Sequence, residues 1–283
     1  GYLGGDKNAF LQEMVEYAEV FRDKIDGSVV DKELPKDASI DRINVLIFAL
    51  DTTTLIPYVL FIEKNVQDEQ QKRRLYEYLE SYIMRRLVTR QTTKNYNQLF
   101  TERLISNQIT TKESFIDYLA KQTDKINYMP TDNEVTEAFH TSVLTNKYAA
   151  GTIYLLESKI RNEQMNSTQL LGIRKYSLEH LMPKKWRNHW EFDGTDEQAI
   201  KRDRALLTLG NLAIITQSLN ASIRDSEWSV KLAGKGTQDG LKKYATGIET
   251  ISKYLNYAEW NENCINERAD NLASKAIKVW CFQ

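Results

Sequence analysis

The chain has 283 residues, enough for one large domain or two ordinary ones, and 41% hydrophobic with 27% charged residues reads as soluble and globular rather than disordered. A net charge of -1 excludes a protein that coats nucleic acid by bulk attraction, so any contact with DNA rests on local basic clusters. No apolar run approaches the roughly 20 residues that cross a bilayer as a helix, which excludes a membrane-spanning helix, and Gly1-Tyr2-Leu3-Gly4-Gly5-Asp6 reads as neither a signal nor a transit peptide.

The first portion is a series of helical patterns. Phe10, Met14, Tyr17 and Phe21 recur every three to four residues. Ile43, Val45, Leu46, Phe48 and Ala49 are dense enough for a buried helix, and Pro57 suits the start of the next one. Leu75, Tyr78, Leu79, Tyr82, Ile83 and Arg86 mark a long helix. Its charges, Lys72-Arg73-Arg74 and Arg85-Arg86, read as solvated faces. Further helices are expected near 94–106, 112–123, 132–143 and 147–162. His140 falls in one of them and reads as structural.

Near residue 170 the texture changes. Residues 172–182 suit an extended segment ended by Pro183, 184–196 a polar and aromatic loop, and 197–209 a helix. Gly210 breaks the chain, Leu212 to Ile215 is a short β-type run, and Ser218 is an expected N-cap for a helix holding Asn220. The tail from 238 to 280 returns to helix, with Ile265, Arg268, Leu272, Ala276 and Trp280 on one face. Cys264 and Cys281 lack metal-ligand spacing and read as buried, inert thiols in a reducing, cytoplasmic setting.

Two short segments carry chemistry. Tyr176-Ser177-Leu178-Glu179-His180-Leu181-Met182-Pro183 places a carboxylate beside a histidine. Leu209-Gly210-Asn211-Leu212 and Leu219-Asn220 add two amides. Phosphodiester cleavage needs an activated water and a cation on the phosphate. His180, with an ordinary pKa of about 6.5, suits the base. Glu179 and Asn220 offer the oxygen ligands that Mg²⁺ (or Mn²⁺) prefers. Neighbours on a strand face opposite ways, so Glu179 and His180 share a site only if the strand ends or twists between them. Asn211 is expected to tie the loop and hold the base. Lys184, Lys185, Arg187, Arg224 and Lys231 are the expected DNA contacts, Arg224 one helical turn past Asn220 and Lys231 about three. His189 stays open between a substrate contact and a tethered surface loop.

These motifs resemble the C-terminal HNH (ββα-metal) nuclease domain of GmrSD-type modification-dependent restriction and phage-defence proteins. Tyr82-Ile83-Met84-Arg85-Arg86 and Lys94-Asn95-Tyr96-Asn97 resemble the helical spacer before it, and Trp260, Ile265, Arg268 and Trp280 its closing helix. The resemblance implies a mainly α chain: a helical spacer domain over 1–168, then a nuclease domain over 169–283 with a ββα-metal core. It implies a metal-dependent DNA endonuclease or nickase with His180 and Asn211 catalytic and Glu179 and Asn220 at the metal. The third motif residue is Asn rather than His. The family's N-terminal sensor and nucleotide-hydrolysing domain has no counterpart here, so these residues read as the effector half of a longer protein, with homo-oligomerisation open. Two rivals remain, a catalytically silent helical interaction module and an RNase using the same site.

Overall fold

A computed structural model describes residues 7–122, 126–161 and 169–283. The expected domain boundary at 168/169 abuts 162–168, which lie outside the described residues. Helix dominates, as the periodicities require. Helix α1 (Lys7–Lys24) precedes α2 (Ile40–Ala49), α3 (Ile56–Asn65) and α4 (Glu69–Val88). Pro57 sits in the first turn of α3, where its missing N–H costs nothing. Asp68 caps α4 by accepting from the N–H groups of Gln70 and Gln71. Short helices α5 (Tyr96–Gln98) and α6 (Leu104–Ser106) flank a π-helical turn, Leu99–Arg103. Then come α7 (Lys112–Ala120), α8 (Asp132–Thr141) and α9 (Asn146–Ile160).

The long helix α4 departs from its sequence reading. Arg85 and Arg86 are fully buried, and Lys72 is buried between Glu63 and Glu69. Arg86 donates to the carbonyls of Tyr128, Thr92 and Ile126 and to the Tyr96 hydroxyl. Arg85 donates to the carbonyls of Pro130 and Trp280 and pairs with Asp132. A planar guanidinium with five donors can be buried where carbonyls converge, and these two arginines pin the loops that follow α4. Beside them Arg42 grips Glu80 through two 2.7 Å bonds, and the Trp280 indole donates to the same carboxylate. The C-terminus is thereby fastened to the helical portion.

Among the described residues the second portion holds two small antiparallel sheets. Strand β1 (Tyr176–His180) pairs with β2 (Leu212–Thr216), with Leu178 opposite Ile214 and His180 opposite Leu212. Between them lies α10 (Asp196–Ala205), and β2 runs straight into α11 (Gln217–Ile223). The expected order of strand, connection, strand and helix is present. Thr216, not Ser218, occupies the N-cap of α11, because the helix starts directly at the strand end. Next come α12 (Trp228–Ala233), a hairpin of β3 (Gly234–Lys235) and β4 (Gln238–Asp239), and α13 (Leu241–Tyr244). The last helix, α14 (Glu262–Val279), packs against α8, α9 and the turn before β2, and α9 also packs on both strands. The tail is thus less continuously helical than its pattern implies. Cys264 is half-buried and Cys281 exposed, so the thiols are not the buried pair expected. Among the described residues no helix is long and apolar enough to cross a membrane.

Candidate functional site

The site forms around the C-terminal end of β1. Leu181 extends the pairing by donating to the Asn211 carbonyl at 3.0 Å. No break separates Glu179 from His180, so alternation sends them to opposite faces. Glu179 is buried, while His180 stays half-buried. The twist needed to bring both side chains to one point is absent.

Glu179 has a partner of its own. The Lys231 ammonium donates to its Oε1 and also to the His180 carbonyl, at 2.7 Å for the latter. Lys231 is fully buried, on the apolar face of α12 with Trp228 and Leu232. It is therefore not the exposed phosphate contact expected three turns beyond Asn220. The helix that would carry that spacing stops at Arg224, a non-glycine residue with φ of 39°. Burial pushes the Glu179 carboxyl up and the Lys231 amine down, and their mutual attraction opposes both shifts. The carboxylate position next to His180 is thus already neutralised. The residues present do not fit a divalent ion held between Glu179 and Asn220. Among the described residues no three His, Cys, Asp or Glu side chains cluster as an alternative ligand set.

Asn220 in α11 donates to the Leu178 carbonyl at 3.1 Å. Since β1 has a strand on one side only, side chains from α11 and α12 supply bonds to its backbone that a third strand would otherwise make.

His180 lies between these supports. Burial first, and then the positive charges of Lys184 and Lys231, lower its pKa to about 4. The imidazole is therefore neutral at pH 7, a weaker base than an ordinary histidine with its lone pair available. Among the described residues no hydrogen bond holds its ring.

Asn211 is fully buried in the turn before β2, and all four of its amide bonds are made. Its Oδ1 accepts from the Met182 N–H at 2.9 Å and the Trp260 indole at 3.0 Å. Its Nδ2 donates to the carbonyls of Met182 and Leu206, at 2.8 and 3.0 Å. Saturated in this way, Asn211 touches only protein: it fixes the segment that follows His180 and meets no substrate. Gly210 is required beside it, because a Cβ there would lie 2.3 Å from the Ile265 carbonyl of α14. Arg268, also on α14, donates to the carbonyls of Leu209, Gly210 and Leu212 at 3.1, 2.9 and 2.7 Å. Trp260 packs on Trp228 with centroids 5.2 Å apart and ring planes tilted by 30°, joining the Asn211 turn to the helix that carries Lys231. In the sequence Trp260 appeared only among the residues that resemble the family's closing helix, and Arg268 there and as a member of an apolar stripe. A cation inside such a stripe was the available signal.

The expected DNA contacts divide. Lys184 and Lys185 are exposed, and Lys184 is near enough to His180 to act on its charge. Arg187 is exposed but bound to Asp203 by two bonds of 3.0 and 2.9 Å and stacked on Trp186. Arg224 is exposed and donates to the Ala221 carbonyl. His189 is exposed. His140 sits within 2.8 Å of Asp270, a link between α8 and α14.

Residues 129–275 match the family described as GmrSD restriction endonucleases, C-terminal domain. The chain belongs to that family. The match begins just before α8 and ends within α14, so α8 and α9 fall inside it together with the β1–β2–α11 unit. Membership makes this a restriction endonuclease-type nuclease of phage defence. No curated protein matches the chain.

Proposed function

We propose that this chain hydrolyses DNA phosphodiesters as an HNH-type endonuclease or nickase, with His180 as general base. The observation that carries the reading is the neutral, half-buried imidazole of His180 at the end of β1, beside exposed Lys184 and Lys185, within a GmrSD C-terminal domain. A water held against the scissile phosphate gives its proton to the imidazole as its oxygen attacks phosphorus, the bond from phosphorus to the leaving sugar oxygen breaks, and that oxygen takes a proton from solvent. Lys184 and Lys185 attract the backbone and offset its charge. Asn211 keeps the segment after His180 rigid, so the ring stays aligned as the reaction proceeds.

A divalent ion, Mg²⁺ or Mn²⁺, would be held by Asn220, whose amide oxygen is a hard donor, rather than by Glu179, and would offset the charge on the phosphate. We further propose that the chain is the effector part of a defence protein whose DNA sensing and nucleotide hydrolysis belong to another domain. The test is plasmid nicking by the purified chain across a Mg²⁺ and Mn²⁺ titration, with circular dichroism as the folding control. Cleavage is expected in wild type and absent from folded His180→Ala. Equal nicking by both proteins removes His180 from the mechanism.

A further inference from the structure

The seat beside Glu179 is built of hard oxygens, the carboxylate Oε1 and the carbonyl of His180. Such a pair would suit a small divalent cation. Both oxygens are instead bound to Nζ of Lys231, and all the charged groups in the contact are shielded from water. The lysine is not a loose side chain that swings aside at little cost. Its helix is held by Trp228, which packs against Trp260 and donates to the Tyr257 carbonyl at 2.9 Å. An ammonium and a divalent ion on the same two oxygens would repel each other at contact distance in a poorly solvated site.

We infer that Lys231 is the resident cation of this seat, so that Glu179 anchors the lysine and ligates no metal ion. Resting on the nuclease reading, the consequence for function is a division of labour. The fixed ammonium braces the end of β1 through the His180 carbonyl. At the end of β1 the described residues leave a divalent ion the Asn220 amide, and the DNA phosphate brings the negative charge that recruits it. Metal affinity is then a property of the protein–DNA complex.

Mn²⁺ binding followed by electron paramagnetic resonance at pH 8, on DNA-free protein, tests this. Glu179→Gln should bind Mn²⁺ within twofold of wild type. Lys231→Met, which leaves the Glu179 carboxylate without its cation, should gain a site at least tenfold tighter, and Glu179→Gln added to it should remove that site. A tenfold loss of Mn²⁺ affinity in Glu179→Gln overturns the inference, as does a folded Lys231→Met that binds no more tightly than wild type. Where a single variant unfolds, the double variant carrying both substitutions leaves no buried charge and decides alone. Affinity equal to wild type supports the inference, and a tenfold loss overturns it. Ion binding is read without cleavage, so a chain that failed to cut DNA would refute the nuclease reading and leave this result standing.

Discussion

Replacing Asn211 by Asp is nearly isosteric and isolates the donor half of the amide. The acceptor side survives, because one carboxylate oxygen can still take the N–H groups of Met182 and Trp260. The donor side is lost, and a carboxylate oxygen then faces the carbonyls of Met182 and Leu206 inside a fully buried turn. Each buried acceptor left unpaired costs about 1–3 kcal/mol, so two give roughly 2–6 kcal/mol before the buried charge is counted. The side chain therefore prefers the neutral acid, with a folded pKa raised above the unfolded value of about 3.9. For an acid shifted upward, the variant is least impaired below the unfolded pKa. It loses stability as pH rises from there to the folded pKa. Urea unfolding at pH 8 and pH 5 should place the variant at least about 2 kcal/mol below wild type at pH 8, with part of the gap closed at pH 5. A variant within 0.5 kcal/mol of wild type at pH 8, on the order of an ordinary surface change, would refute the view that this amide clamps the site.

Three other outcomes are expected. His180, held neutral by burial, stabilises the fold fully above its unfolded pKa of 6.5. That contribution is lost as pH falls toward the folded value of about 4, roughly 3 kcal/mol over the window. Urea midpoints of His180→Gln should consequently fall less than wild type between pH 7 and pH 4, and parallel curves would count against the shift. The double substitution Lys184→Ala with Lys185→Ala should reduce the slope of log K against log salt for duplex DNA by about 1.8, and an unchanged slope would take both lysines off the phosphate path. Glu80→Ala leaves Arg42 buried without its carboxylate and should cost about 3–5 kcal/mol in urea unfolding; a loss under 1 kcal/mol would show that the guanidinium finds other partners.

Much of the fold was legible because local signals agreed with the tertiary solution. The dense apolar run at Ile43 to Ala49 became a buried helix, and Gly210 sits in the short turn Leu209–Asn211 just before the apolar strand Leu212 to Thr216. The site was legible as a set of residue types and less so as a geometry. Glu179 and Lys231 lie 52 positions apart, and only the packing of α12 against β1 makes them partners. A lysine between Trp228 and Leu232 looked like an exposed cation because the carboxylate that binds it, Glu179, is distant in sequence. Arg85 and Arg86 misled for the same reason, since their partners are carbonyls of Pro130, Trp280, Tyr128 and Ile126, brought in by distant loops. Lys231 was projected along a helix that ends at Arg224 with a positive φ, a backbone feature without a glycine to announce it.

The most direct measurement is imidazole rescue of DNA nicking by His180→Gly, with metal present and folding verified. The account predicts a variant without detectable nicking whose activity returns in proportion to added imidazole, following the concentration of the free base. Nicking by the glycine variant at the wild-type rate, unaffected by imidazole, would contradict it.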